Sequence, residues 1–373
     1  MKYTEDDLVR IAKRDNNKKR PYLIVDPCQG KHIPVQPSKA LELFKYLGSV
    51  VNSRLADDDI CTIISFAETA TAIGCGVLRG IEHKTYYIQT TREELENAEY
   101  MYFSESHSHA TEQKLVKNGL DTAVCASSAI IFVEDEVTTG NTILGLINQL
   151  EENTDASDKK IIIASILNGM DCEAEKKFES DGIELVYLLK TNNVLAEKKL
   201  DEFLYDGKMF RKSMNLSIKH KRILADGRID ARRICSGRKL LCKYDEFAER
   251  VSNRLEINKN EKILVLGTEE FMYPAMLTAE KIEKKNNADV YFHATTRSPI
   301  LTSSEENYPL HNRFELESLY DNKRRTFVYD LEKYDKVYIM TDSQNTESEG
   351  LYTLLSALEK SGNSDVTAVF WRD

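Results

Sequence analysis

The sequence lacks the features that mark several large classes of protein. None of its apolar runs approaches the roughly 20 residues that cross a bilayer. Its start, MKYTEDDLVR, has acids where a signal peptide has its apolar region. The cysteines number seven, and no two form a CxxC pair, which argues against a disulfide framework or a zinc site. These absences favour a cytoplasmic globular protein with reduced thiols and no membrane partner.

The sequence also lacks an excess of positive charge. Its formal net charge is −10, which argues against a general nucleic-acid binder. Residues 205–243 are the exception, because they hold twelve Lys and Arg against three Asp. Two interpretations stay open: a solvated linker that contacts an acidic domain, or a basic rim that draws phosphorylated substrates toward a cleft.

One segment, Ile130–Thr142, carries more chemistry than the rest of the chain. Four apolar residues, Ile130–Val133, predict a buried parallel strand, and Glu134 and Asp135 follow at its carboxyl end. Open α/β sheets bind their ligands at that edge. A turn of small residues then leads into an apolar helical pattern that starts at Ile143.

The turn and the helix start together predict an anion-binding cradle. Hydroxyl groups, backbone N–H groups and a helix N-terminus all favour a phosphate, and Gly140 permits close backbone approach. Two carboxylates beside such a cradle suit a sugar phosphate, whose neighbouring hydroxyls need acceptors. The alternative is a strand that ends in acids and a helix capped by threonine.

The order of patterns predicts an α/β fold with mainly parallel sheets. Short apolar strands alternate with helices through the first half of the chain, as parallel sheets require. The second half repeats this plan: Glu68 and Glu269 are 201 residues apart, Thr90 and Thr295 are 205 apart, and Val133 and Met340 are 207 apart. We therefore expect two tandem Rossmann-like domains, the second a diverged copy of the first.

The predicted domains are continuous along the chain. The first covers residues 1–210, a basic connecting segment covers 211–243, and the second domain covers 244–373. The second copy keeps one acid, Asp342, at the position that matches the paired acids, but it lacks the Thr-Thr-Gly sequence.

The segment Ile130–Thr142 resembles the 5-phosphoribosyl-1-diphosphate (PRPP) loop of type I phosphoribosyltransferases. That resemblance implies the fold of this family for the first domain, with Glu134 and Asp135 binding the ribose hydroxyls. It also implies that the 5′-phosphate is bound by Thr138, Thr139, Gly140, Asn141 and Thr142. Glu136 is a departure, because the family usually has an aliphatic residue there.

Further segments resemble one particular group over nearly the whole chain. RPYLIVDPCQGKHIPV from Arg20, FAETATAIG from Phe66, SESHSHATEQ from Ser104 and ATTRSPI from Ala294 occur in the order found there. The group is the orotate-phosphoribosyltransferase-like proteins fused to a C-terminal TRSP domain, from tellurium-resistance and stress-response operons.

The resemblance assigns roles to other residues of the first domain. The diphosphate-binding turn would contain Ala67, Glu68, Thr69 and Ala70, assisted by Lys114. His107 and His109 lie where relatives carry a mobile catalytic loop, so diphosphate contact or acid–base work is expected, with metal ligation or a structural turn as alternatives. Lys31 and His32 belong to a hood that would cover the base.

The second domain carries its own polar residues at matching strand ends. They are Thr268, Glu269, Glu270, Arg297 and Asp342, with several neighbouring threonines and serines. A second ligand site is one explanation, and capping of helices and turns is the other.

The resemblance implies Mg²⁺-dependent transfer of phosphoribose from PRPP to a nitrogenous base, or the reverse reaction. Mg²⁺ would be held mainly through substrate, with Glu134 and Asp135 as its protein contacts. The resemblance also permits a homodimer. Two alternatives are a diphosphokinase similar to PRPP synthetase and a non-catalytic PRPP-sensing regulator that contacts nucleic acid. ATP-dependent formation of PRPP would favour the first, and salt-dependent binding of nucleic acid the second.

Overall fold

The computed structural model describes residues 2–17, 20–103, 113–215, 217–286 and 288–373. In chain order its strands are β1 Arg10–Lys13, β2 Tyr22–Val25, β3 Ile60–Ser65, β4 Lys84–Gln89, β5 Tyr100–Tyr102, β6 Lys114–Val116, β7 Ala129–Val137, β8 Lys160–Asn168, β9 Ile183–Lys190, β10 Lys208–Phe210, β11 His220–Ala225, β12 Cys235–Ser236, β13 Lys262–Gly267, β14 Asp289–Ala294, β15 Asn312–Glu317, β16 Arg325–Tyr329, β17 Lys336–Thr341 and β18 Val366–Trp371.

The α-helices of the described residues are α1 Glu5–Leu8, α2 Pro37–Asn52, α3 Ala70–Gly80, α4 Leu120–Cys125, α5 Asn141–Asn153, α6 Cys172–Ser180, α7 Asn193–Lys198, α8 Gly237–Ser252, α9 Tyr273–Asn286 and α10 Glu349–Lys360. A 3-10 helix covers Lys199–Glu202. Of the helices in the described part of the chain, none is both long and apolar enough to cross a membrane.

The chain divides into two compact units, and neither is continuous in sequence. Unit 1 contains Glu42–Thr191 and Ile229–Lys243, together with Lys2. Unit 2 contains Tyr3–Leu41, Asn192–Arg228 and Tyr244–Asp373. The compact units therefore differ from the continuous segments 1–210, 211–243 and 244–373 that the sequence predicts.

Unit 1 is built on a six-stranded sheet in the order β12-β4-β3-β7-β8-β9. All neighbours in it are parallel except the short edge strand β12, which runs antiparallel to β4. The central strands β3 and β7 are buried over Cys61–Ser65 and Ala129–Val133, as parallel strands covered on both faces are. A two-stranded antiparallel sheet, β5-β6, completes the unit's strands in the described residues.

Unit 2 is built on a five-stranded, wholly parallel sheet in the order β11-β18-β17-β13-β14. Helix α10 packs its apolar face on this core, where Leu351, Leu354, Leu355 and Leu358 are all buried. Two smaller sheets, β10-β15-β16 and β1-β2, belong to the same unit. The two main sheets confirm the predicted α/β fold with mainly parallel strands.

The only tryptophan of the sequence marks the interior of unit 2. Trp371 ends β18 and is 1% exposed. Its ring contacts those of Tyr244, Phe247 and Phe271, with centroid distances of 5.7, 4.6 and 6.0 Å. Its fluorescence will therefore report the folding of unit 2.

Candidate functional site

Three strand ends meet at the carboxyl edge of the unit 1 sheet. Ser65, the last residue of β3, lies opposite Gln89 of β4 and Val133 of β7. The residues that follow each strand are therefore neighbours. They are the turn after Ser65, the Thr90–Arg92 segment and the acidic part of β7.

Strand β7 is longer than the sequence predicts. We expected it to end at Val133, but it continues to Val137 and includes both acids. The physical reason is its neighbour β8, which extends to Asn168 and keeps Glu134 and Glu136 paired with Ser165 and Leu167. The acids thus belong to a regular strand that continues beyond the end of β3. They pair with β8 on one side, and the side of β7 that faces β3 is open there.

The two acids of β7 interact. The Asp135 N–H donates to Glu134 Oε2 at 3.3 Å, which holds the Glu134 carboxylate next to its neighbour. Burial raises the pKa of Glu134 well above its usual value, and the charge of Asp135 raises it further. A carboxylate with a raised pKa at a sheet edge is a candidate for binding cations or hydroxyl groups.

Gly140 joins β7 to helix α5 in a conformation that suits glycine. Its φ of +72° is in the left-handed region. A Cβ atom placed there would lie 2.3 Å from Cζ of Phe178 and 2.8 Å from Cε of Met170. Glycine is therefore required by backbone conformation and packing, in addition to the close ligand approach that the sequence suggested.

Helix α5 presents its N-terminus at the same edge. Thr139, Asn141 and Thr142 are exposed, and the Gly140 carbonyl accepts the Leu144 N–H at 2.9 Å. At 13 residues the helix is long enough for its N-terminal N–H groups and dipole to attract an anion. The predicted phosphate-binding residues are thus brought together at one helix start.

The turn after β3 is anchored by the strand ends beside it. The Phe66 N–H donates to the Val133 carbonyl at 3.0 Å, and the Ala67 N–H donates to Thr90 Oγ1 at 2.8 Å. The Ala67–Glu68 peptide bond is cis. Thr69 precedes α3, so Ala67, Glu68, Thr69 and Ala70 form the strand-to-helix turn that the sequence predicts.

Tyr87 supports this turn from beneath, and sequence reasoning missed it. Its hydroxyl lies 2.7 Å from Ser65 Oγ and 3.3 Å from the carbonyl of Thr71, on the first turn of α3. The sequence matches Thr90 with Thr295, 205 residues further along. That repeat was a usable signal for Thr90, whereas a tyrosine in an apolar strand gives none.

Lys114 lies on β6 and is 3% exposed. Its Nζ pairs with the Glu94 carboxylate and lies 4.4 Å from the centre of the Tyr100 ring. Backbone hydrogen bonds of 2.9 and 3.1 Å join Lys114 to Thr91, just past β4. The structure therefore places its ammonium group within the β5-β6 region. His107 and His109 lie outside the described residues.

The predicted hood residues Lys31 and His32 belong to unit 2. Lys31 is 1% exposed, and its Nζ donates to the carbonyls of Glu269 at 3.3 Å and Thr295 at 3.2 Å. His32 is also buried, with its ring 6.3 Å from that of Tyr329 in an edge-to-face arrangement. Lys31 thus contacts residues of a second polar edge, which belongs to unit 2.

That second edge follows strands β13, β14 and β17. Arg297 bonds both Glu269, through Nε at 3.0 Å, and Glu270, through Nη2 at 3.3 Å. Asp342 Oδ1 accepts the hydroxyl of Tyr320 at 2.7 Å, and Tyr320 lies 2.8 Å from Thr268 Oγ1. The five residues predicted for a second site thus meet at one edge.

Sequence reasoning missed three members of the second edge. They are Ser318, Tyr320 and Arg324, which arrive from the loop between β15 and β16. Arg324 stands in the sequence Lys-Arg-Arg, which does not differ from an ordinary solvated charge run. The sequence of the loop between β15 and β16 does not indicate that the loop packs against the ends of β13 and β17.

Within the described residues, no group of three or more His, Cys, Asp and Glu side chains is arranged to hold a metal ion. Glu134 and Asp135 nevertheless offer the hard oxygen ligands that Mg²⁺ prefers. Mg²⁺ commonly takes one or two carboxylates and completes its shell with water and substrate phosphates. The donor set therefore fits a substrate-bound Mg²⁺ ion.

Several solved structures resemble part of the chain. Adenine phosphoribosyltransferase of Trypanosoma brucei, in complex with AMP, pyrophosphate and ribose-5-phosphate, is 14% identical, with a TM-score of 0.35, over 50% of this chain and 77% of that one. The enzyme of Giardia lamblia with 9-deazaadenine is 13% identical, with a TM-score of 0.32, over 50% and 94%. A hypothetical protein of Neisseria gonorrhoeae with bound ppGpp is 12% identical, with a TM-score of 0.28, over 44% and 85%. No curated protein matches the sequence.

Two family models match the sequence, one after the other. Residues 8–192 match a family described as phosphoribosyl transferase. Residues 236–358 match the TRSP domain, which is described as C-terminal to that family's domain. Together they cover most of the chain and confirm the resemblance found in its motifs. The chain therefore belongs to the phosphoribosyltransferases that carry a C-terminal TRSP domain.

Proposed function

We propose that this phosphoribosyltransferase moves 5-phosphoribose from PRPP to a nitrogenous base, with Mg²⁺, and releases diphosphate. The observation that carries the proposal is the edge of the unit 1 sheet. There, β7 ends in paired acids and leads through a glycine with positive φ to a helix N-terminus, and an anchored turn follows its neighbour β3. The acceptor base and the physiological direction are left open.

Each part of PRPP has a complementary group at this edge. The helix start at Thr138–Thr142 suits the 5′-phosphate, because N–H groups and hydroxyls converge there. Glu134 and Asp135 suit the ribose hydroxyls, which donate to carboxylates. The turn at Ala67–Ala70 precedes helix α3 and suits the diphosphate.

The chemistry needs little more than positioning and control of charge. As the C1–O bond to diphosphate breaks and the C1–N bond to the base forms, the ribose gains oxocarbenium character. Fixing the sugar and the leaving group separately therefore accounts for much of the catalysis. Mg²⁺, when bound with PRPP, would offset the charge of the diphosphate, with Glu134 and Asp135 as the residues available to hold it.

Replacing Asp135 by Asn tests the sugar-binding role. The variant keeps the shape of the side chain but removes its charge, so calorimetric titration with PRPP and Mg²⁺ should show binding weakened about tenfold or more. Asp158→Asn is the matched control, because Asp158 is exposed before β8 and should leave binding unchanged. Screening bases for diphosphate release would then identify the acceptor.

Two results would count against the proposal. Unchanged PRPP affinity and turnover in Asp135→Asn would remove the ribose role of the acids. ATP-dependent formation of PRPP from ribose 5-phosphate, with no release of diphosphate from PRPP in the presence of any base, would favour the diphosphokinase.

We further infer that the main sheet of unit 2 belongs to a second Rossmann-like domain, a diverged copy of the first. Strands β4-β3-β7-β8 and β14-β13-β17-β18 have the same spatial order and are parallel throughout. In unit 1 the Thr90 N–H donates to the Ser65 carbonyl at 2.8 Å, and in unit 2 the Thr295 N–H donates to the Gly267 carbonyl at 3.0 Å. A shared hydrogen bond at matching strand ends supports common ancestry. The continuous domain boundaries predicted from the sequence remain part of this proposal.

A cytoplasmic location and a homodimer belong to the same proposal. The thiols of Cys125 and Cys172 are exposed, which suits a reducing compartment. A role in tellurium resistance or stress response is what the TRSP domain suggests.

A further inference from the structure

The main sheet of unit 1 ends in an edge strand that is open to a further strand. Strand β9, Ile183–Lys190, has eight residues and pairs with β8 alone among the described strands. It keeps one register with β8 along its whole length, so no bulge interrupts it. It also contains neither proline nor glycine. Such an edge offers a row of backbone N–H and carbonyl groups to another strand.

The other edges of the two main sheets are protected. Strand β12 has only two residues. Strand β14 is covered at Phe292, which exchanges backbone hydrogen bonds of 2.8 and 2.9 Å with Val35. Strand β11 begins with the basic sequence His-Lys-Arg, and positive charge on an edge opposes pairing. The centre of β9, Leu185–Leu189, has none of these protections.

Every second residue of β9 turns its backbone away from β8. The Thr191 N–H, directly after the strand, donates to the Asn168 carbonyl at 2.8 Å, so Thr191 faces β8. Because the backbone groups of successive residues point to opposite sides of a strand, the even-numbered residues of β9 face outward. The side chains of two of them, Val186 and Leu188, are already buried. What β9 offers a partner is therefore chiefly its backbone.

The charges of β9 favour a second copy of the same strand as the partner. In an antiparallel pair related by a twofold axis, two residues that lie opposite each other must point to the same face of the sheet. Glu184 and Lys190, the only charged residues of β9, meet this condition because they are six residues apart. Placing each opposite the other across the axis brings Tyr187 opposite itself and joins unlike charges at both ends.

Both charged side chains are held in place within unit 1. Glu184 is 29% exposed and lies 3.1 Å from Lys160 Nζ, and Lys190 is 34% exposed and lies 2.6 Å from Glu175 Oε1. The alignment leaves these ion pairs intact and adds a neighbour of opposite sign to each side chain. Opposite charges that face each other across two strands favour that register.

We infer that β9 pairs antiparallel with β9 of a second copy, in the register that places Glu184 opposite Lys190. The two main sheets of unit 1 then form one continuous sheet. The inference rests on the homodimer included in the proposed function and gives that homodimer its interface. It does not depend on PRPP binding or on the transfer reaction.

Tyr187→Cys tests the position of the axis. Tyr187 is odd-numbered, so it forms a pair without hydrogen bonds, whose Cα atoms lie about 4.5 Å apart. A disulfide spans roughly 4.4–6.8 Å between Cα atoms. The full chain carries serine at the exposed Cys125, Cys172 and Cys242. Mild oxidation should convert most of the Tyr187→Cys chain to a linked dimer on a non-reducing gel, and the serine background alone should stay unlinked.

Leu185→Cys and Leu189→Cys are matched controls on the same strand. Each alone should not link to itself, because the register separates the two copies of either residue by about 14 Å along the strands. Co-expressed, the two variants should form a linked heterodimer, since Leu185 lies opposite Leu189 in this register.

Tyr187→Lys tests the interface without oxidation. It places two ammonium groups together on the axis, so the dimer should dissociate at least tenfold more readily in sedimentation velocity. Tyr102→Lys is the control, because Tyr102 is 50% exposed on β5 of the same unit and should change the dissociation less than twofold. Far-UV circular dichroism verifies that both variants fold, and the cross-linking result stands without them.

The outcomes separate the interface from the rest of the proposed function. A chain that sediments as a monomer overturns both the inference and the homodimer. A dimer in which Tyr187→Cys links no better than Leu185→Cys alone overturns the β9 interface and leaves the homodimer standing. Calorimetric titration of the same protein with PRPP reports on the transferase site independently of either result.

Discussion

At the scale of single residues, His293 is a titratable side chain buried in the core of unit 2, where burial changes its pKa. It lies on β14 and is fully buried, with Nδ1 3.2 Å from the Gly30 carbonyl and Nε2 2.9 Å from the Tyr329 carbonyl. Burial lowers its pKa to about 4, and the charge of Lys31 acts in the same direction. A neutral imidazole donates through one nitrogen only, so one carbonyl faces an unprotonated nitrogen.

The lowered pKa of His293 predicts that unit 2 loses stability in mild acid. Below pH 6.5 the unfolded chain binds a proton at this histidine that the folded chain excludes, so the free energy of unfolding falls until the pH reaches about 4. The slope should approach about 1.4 kcal/mol per pH unit. Urea unfolding followed by Trp371 fluorescence at several pH values measures it.

His293→Gln should remove that slope, because glutamine does not titrate. His83→Gln, at a partly exposed histidine of unit 1, is the control for the substitution itself. Equal pH dependence in the wild type and in His293→Gln would show that other groups govern the acid stability of unit 2.

At the scale of elements, the β7–α5 connection depends on one glycine for two separate reasons. Gly140 and Gly182 both have positive φ, +72° and +77°. A Cβ at Gly182 would meet nothing within 4 Å, whereas a Cβ at Gly140 would lie 2.3 Å from Phe178. The pair therefore separates the cost of backbone conformation from the cost of packing.

Gly182→Ala should lower the free energy of unfolding by about 1 kcal/mol, from the left-handed backbone alone. Gly140→Ala should cost a further 1–3 kcal/mol, roughly the penalty of overpacking a core, since Phe178 on α6 must move. Urea unfolding followed by far-UV circular dichroism compares the two variants. Equal losses would mean that Phe178 rearranges freely and that packing does not hold the loop.

The elements of the site were largely predictable, and their lengths were not. The apolar run Ile130–Val133 predicted β7, and the helical pattern predicted from Ile143 lies within two residues of the observed start of α5 at Asn141. The extension of β7 past Val133 was missed because pairing with β8, and not local sequence, determines where the strand ends. The edge strand β12 was missed because two residues carry no periodic pattern.

The contacts of the site were harder to predict than its motifs. The PRPP-like motif identified Glu134 to Thr142 because its residues are consecutive. The position of Lys114 in the sequence predicted a contact with diphosphate. In the structure its Nζ contacts Glu94 and Tyr100, and these contacts depend on tertiary structure and not on local sequence. The same holds for Arg324, which joins Glu269 from 55 residues further along the chain.

At the scale of the whole molecule, the same hydrogen bond holds a turn in each unit. Thr90 Oγ1 accepts the Ala67 N–H at 2.8 Å, and Thr295 Oγ1 accepts the Glu269 N–H at 3.0 Å. Both threonines directly follow a strand and are fully buried. This pattern matches Ala67 with Glu269, one residue from the match of Glu68 with Glu269 that the sequence suggests.

Replacing either threonine by valine should loosen only its own turn. Valine keeps the volume but leaves a buried N–H without its acceptor, which costs about 1–3 kcal/mol. Hydrogen–deuterium exchange should then quicken at residues 66–70 in Thr90→Val and at residues 268–272 in Thr295→Val. Thr367→Val, at the second residue of β18, is the control for the loss of a buried hydroxyl. If a common ancestor supplied both turns, the two variants should lose protection from exchange to a similar degree. A loss of protection confined to unit 1 would mean that ion pairs, and not this hydrogen bond, hold the turn of unit 2.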